Sequence, residues 1–138
     1  MLKYARFMAR LRQHSVLVID DDEALLALIE RFLRKRGLDV VTSNTALGVS
    51  QLMRSFRPDV VVLDQTMPTI NGNRVADLIR NTFGPLTPII LHSGSDPHVV
   101  TRMADETANT AFVPKGEHLD RLYDAIRSAL RMGSASAQ

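Results

Sequence analysis

Cysteine, a membrane-length apolar run and a secretion signal are all absent from this sequence. Without cysteine, the chain can form no disulfide, no thiolate zinc site and no catalytic thiol. No apolar run approaches the ~20 residues of a membrane-spanning helix. The N-terminus also lacks the apolar core and small-residue cleavage site of a signal peptide. These absences predict a soluble protein of the cytoplasm with no transmembrane segment.

The 138 residues are enough for one domain with a buried core and too few for two ordinary domains. With 45% hydrophobic and 23% charged residues, the composition is typical of a globular protein. The net charge of +2 is unevenly distributed, because residues 1–14 carry basic side chains and no acidic one. We therefore expect a basic N-terminal extension over 1–14, one domain over 15–131 and a disordered tail of small, polar residues over 132–138.

Two kinds of segment alternate along the domain. Short apolar, β-branched runs occupy residues 16–20, 38–42, 59–64, 88–92 and 111–115. Each is followed by helically spaced apolar residues; the second such pattern begins at Leu47, and the fourth opens at Asp96 and Pro97. Strands that are apolar on both faces and alternate with helices predict an α/β fold, in which helices cover both sides of a parallel sheet.

Polar side chains of complementary charge follow four of the predicted strands. Asp20, Asp21 and Asp22 follow the first, Asp64 ends the third, His92 and Ser93 end the fourth, and Lys115 follows the fifth. We expect them to converge, because ligands of parallel sheets bind outside the carboxyl ends of the strands. Neighbouring carboxylates are costly to desolvate unless a cation lies against them, which predicts a Mg²⁺ site. Beside it, Asp64 would be a nucleophile for phosphoryl transfer, Lys115 would neutralise a phosphoryl oxygen and Ser93 would donate a hydrogen bond.

The sequence resembles the receiver domain of two-component response regulators over residues 15–131. The resemblance rests on VLVIDDD, VVLDQTMPTINGNRVADLIR, PIILHSG and AFVPK, which occur in the order and at the spacing of that family. It implies a flavodoxin-like, doubly wound (βα)5 fold, which is a three-layer sandwich around a parallel sheet of strand order 2-1-3-4-5. It also implies a chemotaxis-receiver-like, stand-alone protein.

The resemblance assigns roles to the residues of these motifs. Asp64 would be the phosphoacceptor, with Lys115 and Ser93 as its catalytic partners. The ligands of Mg²⁺, or of Mn²⁺ in its place, would be Asp20, Asp21, Asp64 and the backbone carbonyl of Thr66. The phosphoryl group would come from a histidine of a sensor kinase or of a phosphotransfer protein. The domain would itself promote this transfer and its own dephosphorylation, without being a conventional enzyme.

The resemblance also implies how the signal leaves the domain. Ser93 and Phe112 match the switch hydroxyl and the switch aromatic residue, and phosphorylation would change the surface made by the predicted fourth helix, fifth strand and fifth helix. Because no effector domain follows in this sequence, we expect output through contact with a downstream protein, onward phosphotransfer or an effect on a partner encoded elsewhere. We expect no direct contact with nucleic acid. The expected state is a monomer or a dimer that forms on phosphorylation.

The lysine motif departs from the family pattern. Family members commonly have proline after the lysine, joined by a cis peptide bond, whereas here Pro114 precedes Lys115 and Gly116 follows it. We expect Lys115 still to reach the site, because Gly116 permits unusual backbone angles. Phe112 lacks the hydroxyl of the tyrosine often found at the switch position.

Two other functions are considered for the same residues. A pseudo-receiver would use the fold only for binding and would not respond to phosphodonors. A phosphohydrolase of the haloacid dehalogenase type also has Asp-x-Asp after an apolar strand, and it would be phosphorylated on Asp20 rather than Asp64. Two neighbours of the site receive structural interpretations: Asp22 as the N-cap of the first helix, and His92 as a residue that packs beside the sheet.

Overall fold

The computed structural model describes residues 2–4, 13–67, 70–94 and 109–136. Its strands are β1 (Ser15–Ile19), β2 (Asp39–Ser43), β3 (Val60–Asp64), β4 (Ile89–Ser93) and β5 (Thr110–Pro114). Its helices are α1 (Glu23–Arg34), α2 (Val49–Phe56), α3 (Gly72–Phe83) and α4 (Leu119–Ser136). The predicted fourth helix, which opens at Asp96 and Pro97, lies outside the described residues, and α4 is the predicted fifth helix.

The five strands form one parallel sheet of order β2-β1-β3-β4-β5. The predicted fold class and strand order are confirmed. Each strand lies within one residue of its apolar run. The central strands β1, β3 and β4 are buried on both faces, whereas the edge strands β2 and β5 are only partly buried. No helix in the described part of the chain is long and apolar enough to cross a membrane.

Two hydrophobic cores lie on opposite faces of the sheet. Alternate strand residues such as Val16, Val18, Val62 and Ile90 point towards α1 and α4 and form the first core. The residues between them, such as Leu17, Ile19, Leu63 and Leu91, point towards α2 and α3 and form the second core. The protein is therefore a three-layer sandwich in which the strand ends are held by packing on both sides.

The ends of three helices can be compared with the sequence predictions. One prediction is confirmed, and two predicted boundaries differ from the structure. Asp22 caps α1, since its Oδ1 accepts a hydrogen bond from the backbone N–H of Leu25 at 3.0 Å. The apolar pattern assigned from Leu47 was wrong at its start, because Gly48 has a φ of +78° and leaves Leu47 exposed before α2 begins. The expected boundary at residue 131 falls inside α4, which continues to Ser136 because no proline interrupts the segment.

Gly72 sets the position of the loop that follows β3. Its N–H donates to the carbonyl of Gln65 at 2.9 Å, which brings the start of α3 against the strand end. A Cβ at this position would lie 2.5 Å from the carbonyl oxygen of Asp64 and 2.9 Å from the Cα of Gln65. Only glycine permits so close an approach, and the approach fixes the backbone from which the Asp64 side chain projects.

Candidate functional site

The carboxyl edge of the sheet carries a row of buried polar side chains on the face of the first core. Asp64 pairs with His92 in the strand register, and Asp20 follows β1, the strand on the other side of β3. All three lie two residues after members of the first core, and they are only 1–3% exposed. Because alternate residues of a strand share a face, the sheet aligns these groups side by side.

Three carboxylates and one ammonium group meet at this edge. Oxygens of Asp20, Asp21 and Asp64 lie within 4.8 Å of one another. The Nζ of Lys115 lies 2.8 Å from Oδ2 of Asp20 and 3.2 Å from Oδ1 of Asp64. The structure therefore brings together the acidic residues and the lysine that the sequence predicted to converge.

Backbone N–H groups hold the two buried carboxylates in place. Oδ1 of Asp20 accepts a hydrogen bond from the N–H of Asp22 at 2.9 Å, and Oδ1 of Asp64 accepts one from the N–H of Thr66 at 3.1 Å. In each case the donor is two residues further along the chain, as in an Asx turn. The orientation of both carboxylates is thus set by the loop that follows each strand.

Lys115 reaches the carboxylates without the cis peptide bond that is common in similar sequences. All peptide bonds of the described residues are trans, and Gly116 has a φ of +88°. The N–H of Lys115 donates to the carbonyl of Ser93 at 2.7 Å, which ties the end of β5 to the end of β4. The expectation that Lys115 reaches the site is confirmed, and Gly116 supplies the backbone angle that the turn requires.

The charges at this edge change the acidity of its groups. Burial raises the pKa of Asp64 to about 6, and the carboxylates of Asp21 and Asp20 add to this rise, while the Thr66 hydrogen bond and Lys115 oppose it. Burial lowers the pKa of Lys115, but the interactions with Asp20 and Asp64 outweigh burial, so that this pKa is raised overall. Lys115 is therefore a permanent cation at neutral pH, and it leaves a surplus of negative charge.

The sequence matches the profile of a known family. The sequence profile of the response regulator receiver domain matches residues 16–127. This chain belongs to the response regulator receiver family. The match covers most of the chain and includes every strand except the first residue of β1.

Curated relatives of the receiver are regulators of about twice its length. "Transcriptional regulatory protein KdpE" of Mycobacterium tuberculosis is 31% identical over 125 residues, which cover 89% of this chain and 54% of that protein. "Transcriptional regulatory protein AfsQ1" of Streptomyces coelicolor is 34% identical over 120 residues, which cover 86% and 52%. The chain thus spans about half the length of these relatives, so a stand-alone receiver is not confirmed. Both relatives are named as transcriptional regulators, which speaks against the expectation that output involves no direct contact with nucleic acid.

Solved structures agree with the fold. A response regulator receiver domain protein from Clostridium thermocellum has a TM-score of 0.78 and 25% identity, covering 88% of this chain and 98% of that one. A CheY-like receiver domain protein from Methanospirillum hungatei has a TM-score of 0.78 and 19% identity, covering 90% and 98%. At 19% identity, the second likeness concerns the fold alone.

The acidic edge of the receiver fits a hard divalent cation. Its donors are three carboxylates, the oxygen ligands that Mg²⁺ prefers. Oδ2 of Asp20 is buried and meets Lys115 as an ion pair, but no aligned hydrogen bond reaches this oxygen from the described residues. Lys115 alone does not balance three carboxylates, so a second cation has both ligands and an electrostatic reason to bind.

The proposed switch residues lie next to this edge. Ser93 is completely buried at the end of β4, and Phe112 is half-buried beside Leu91 in the neighbouring strand and packs against the second core. Thr66 is exposed, and its N–H contacts Asp64. The roles of Ser93 and Phe112 in switching, and of the Thr66 carbonyl as a ligand, stay predictions.

Two features of the site were missed in the sequence. Lys115 was assigned to a phosphoryl oxygen, whereas its Nζ contacts two carboxylates, that of Asp20 at 2.8 Å and that of Asp64 at 3.2 Å. His92 was interpreted as a residue that packs beside the sheet, which agrees with its 3% exposure. The sequence did not show that His92 lies in the same row as Asp64 or that its Nδ1 has no hydrogen-bond partner among the described residues. Burial and the charge of Lys115 lower the pKa of His92 to about 4, despite the opposing effect of Asp20. The sequence feature that could have indicated this is a histidine, directly before Ser93, in an otherwise apolar strand.

Proposed function

We propose that this receiver accepts a phosphoryl group on Asp64 from the phosphohistidine of a sensor kinase or of a phosphotransfer protein. The observation that carries the proposal is the position of the Asp64 carboxylate. It lies buried at the end of β3, within 4.8 Å of two other carboxylates and 3.2 Å from Lys115. A buried carboxylate with a fixed ammonium group beside it is suited to act as a nucleophile towards a highly charged phosphoryl group.

In the transfer, an oxygen of Asp64 forms a bond to phosphorus while the bond between phosphorus and the donor imidazole nitrogen breaks. The Thr66 N–H orients the carboxylate through Oδ1. Lys115 neutralises negative charge on the transferring group, which lowers the barrier because this cation is already in place before the reaction. The product is an acyl phosphate on Asp64, and the donor histidine keeps the electrons of the broken bond and takes up a proton from solvent.

Asp20, Asp21, Asp64 and the carbonyl of Thr66 are the residues that would hold Mg²⁺, or Mn²⁺ in its place. When bound, this ion supplies charge neutralisation to the carboxylates and to the oxygens of the transferring group. Ser93 would donate its hydroxyl to a phosphoryl oxygen after transfer. Thr66 is small and exposed, so a water molecule can approach Asp64 for dephosphorylation.

For output, we propose that Ser93 moves towards the phosphorylated Asp64 and that Phe112 then turns inward. Support comes from the position of Phe112, which lies opposite Leu91 in the register and is only half-buried. The change would alter the surface of β5, α4 and the predicted helix between β4 and β5, which a downstream protein reads. In a longer regulator of the kind named among the relatives, the same change would control transcription.

The alternatives are weakened by specific findings. The phosphohydrolase alternative is not compatible with membership of the receiver family. The pseudo-receiver alternative rested mainly on the unusual Lys115 motif, and Lys115 does contact Asp64.

The test is phosphoryl incorporation from acetyl phosphate in the presence of Mg²⁺. Wild type, Asp64→Asn and the control Asp124→Asn, an exposed position on α4, should be compared by intact mass. We expect one phosphoryl group on wild type and on Asp124→Asn, and none on Asp64→Asn. Incorporation into folded Asp64→Asn, or none into any of the three proteins, would exclude the proposed function.

A further inference from the structure

Lys115 reaches its carboxylates by crossing the end of β4. It follows β5, the edge strand, whereas Asp64 ends β3 and Asp20 follows β1. In the sheet order, β4 separates β5 from β3. The Lys115 side chain must therefore pass over the last residue of β4 that faces the first core.

That residue is His92. It lies opposite Asp64 on one side and opposite Val113 on the other. Val113 belongs to the first core, so His92 shares the face on which the carboxylates and Lys115 meet. His92 is 3% exposed, and its Nδ1 has no hydrogen-bond partner among the described residues. A buried nitrogen without a partner in a folded protein calls for an explanation.

We propose that His92 is a positioning residue for Lys115, and that its Nδ1 accepts a hydrogen bond from Nζ when Asp20 serves as a cation ligand. The inference rests on the proposed function. Nζ now lies 2.8 Å from Oδ2 of Asp20, an oxygen that a bound cation would engage. The Lys115 side chain then withdraws from Asp20 towards β5. On this path it meets His92 of β4, whose buried Nδ1 is an acceptor. An ammonium group has three donors, so Nζ can bind His92 and still point one proton at the phosphoryl group on Asp64.

The direct test is the ¹⁵N resonance of His92 Nδ1 in the labelled protein, before and after addition of Mg²⁺ and beryllofluoride. We expect the Nδ1 resonance of wild type to shift towards that of a hydrogen-bonded acceptor, and we expect no such shift in Lys115→Met. If backbone signals around Asp64 respond while Nδ1 stays unchanged, the His92 proposal is wrong and the proposed function stands. If no signal near Asp64 responds, the proposed function itself fails.

Two matched substitutions separate hydrogen bonding from packing. His92→Phe keeps a ring but removes the acceptor, whereas His92→Asn places an amide oxygen close to the position of Nδ1. We expect the rate constant of phosphorylation by acetyl phosphate to fall about five- to tenfold in His92→Phe, the loss typical of one hydrogen bond, and to stay within about twofold of wild type in His92→Asn. Equal rates in both variants, whether lowered or unchanged, would contradict the proposal. If His92→Phe does not fold, the wild-type resonance still decides the question.

Discussion

Replacing Asp64 with asparagine should stabilise the domain at neutral pH. The side chain is 3% exposed, and its pKa is raised from 3.8 to about 6 by burial and by the neighbouring carboxylates. A rise of roughly two pKa units corresponds to about 3 kcal/mol of unfavourable free energy when the group is ionised in the folded state. Asparagine removes the charge and can keep the hydrogen bond from the Thr66 N–H. We therefore expect a gain of about 1–3 kcal/mol.

The sign of the pH dependence follows from the raised pKa. The folded protein binds the Asp64 proton more tightly than the unfolded chain, so wild type loses stability as the pH rises from about 4 through about 6. Asp64→Asn should lack this loss. The difference between the two proteins should thus be small near pH 4 and reach its full value above about pH 7.

Urea unfolding without divalent cations, followed by circular dichroism at several pH values, measures this difference. Asp124→Asn, an exposed change of the same chemistry, should follow the wild-type curve. Added Mg²⁺ should stabilise wild type more than Asp64→Asn, because the variant lacks one of the three carboxylates. An Asp64→Asn protein that is no more stable than wild type at neutral pH, or a gain that does not vary with pH, would refute the electrostatic reasoning.

Three other substitutions test the structure around the site. Gly72→Ala should cost about 1–3 kcal/mol of unfolding free energy, since the new Cβ would lie 2.5 Å from the Asp64 carbonyl oxygen. Gly94→Ala is the control, because a Cβ there would have no atom of the described residues within 4 Å, and similar losses for both would contradict the packing. Asp22→Ala should lower the free energy of urea unfolding by about 1 kcal/mol, because Asp22 caps α1 through a side-chain oxygen. Asp22→Asn keeps such an oxygen and should lose much less, and equal losses in the two variants would contradict the cap. Arg80→Met should raise the thermal midpoint, because the Arg80 guanidinium is buried without a hydrogen-bond partner among the described residues; a clear loss would show that the guanidinium is stabilising.

Much of the site could be predicted because parallel strands place their carboxyl ends at one edge. Asp20, Asp64 and Lys115 each follow an apolar run, so their convergence required only the fold class and not the details of packing. The strand order itself came from the resemblance. Apolar periodicity alone does not determine which strands are neighbours.

The remaining features depend on distances that a linear pattern does not contain. The Nζ of Lys115 lies 2.8 Å from Asp20 and 3.2 Å from Asp64, a difference of side-chain geometry that the spacing of the motifs does not contain. Leu47 fitted a helical period, but the left-handed backbone of Gly48 places it before α2. A packing role for His92 could be predicted from its place in an apolar strand, but the hydrophobic pattern does not show which polar groups lie beside its ring.

The most direct measurement is the site of modification after treatment of the wild-type protein with acetyl phosphate and Mg²⁺. Borohydride reduction of the acyl phosphate, followed by proteolysis and tandem mass spectrometry, identifies the modified residue. We expect a single modified position, Asp64, at the end of β3. Modification of Asp20 or Asp21 instead, or of no aspartate in a protein that binds Mg²⁺, would contradict the assignment of Asp64 as phosphoacceptor.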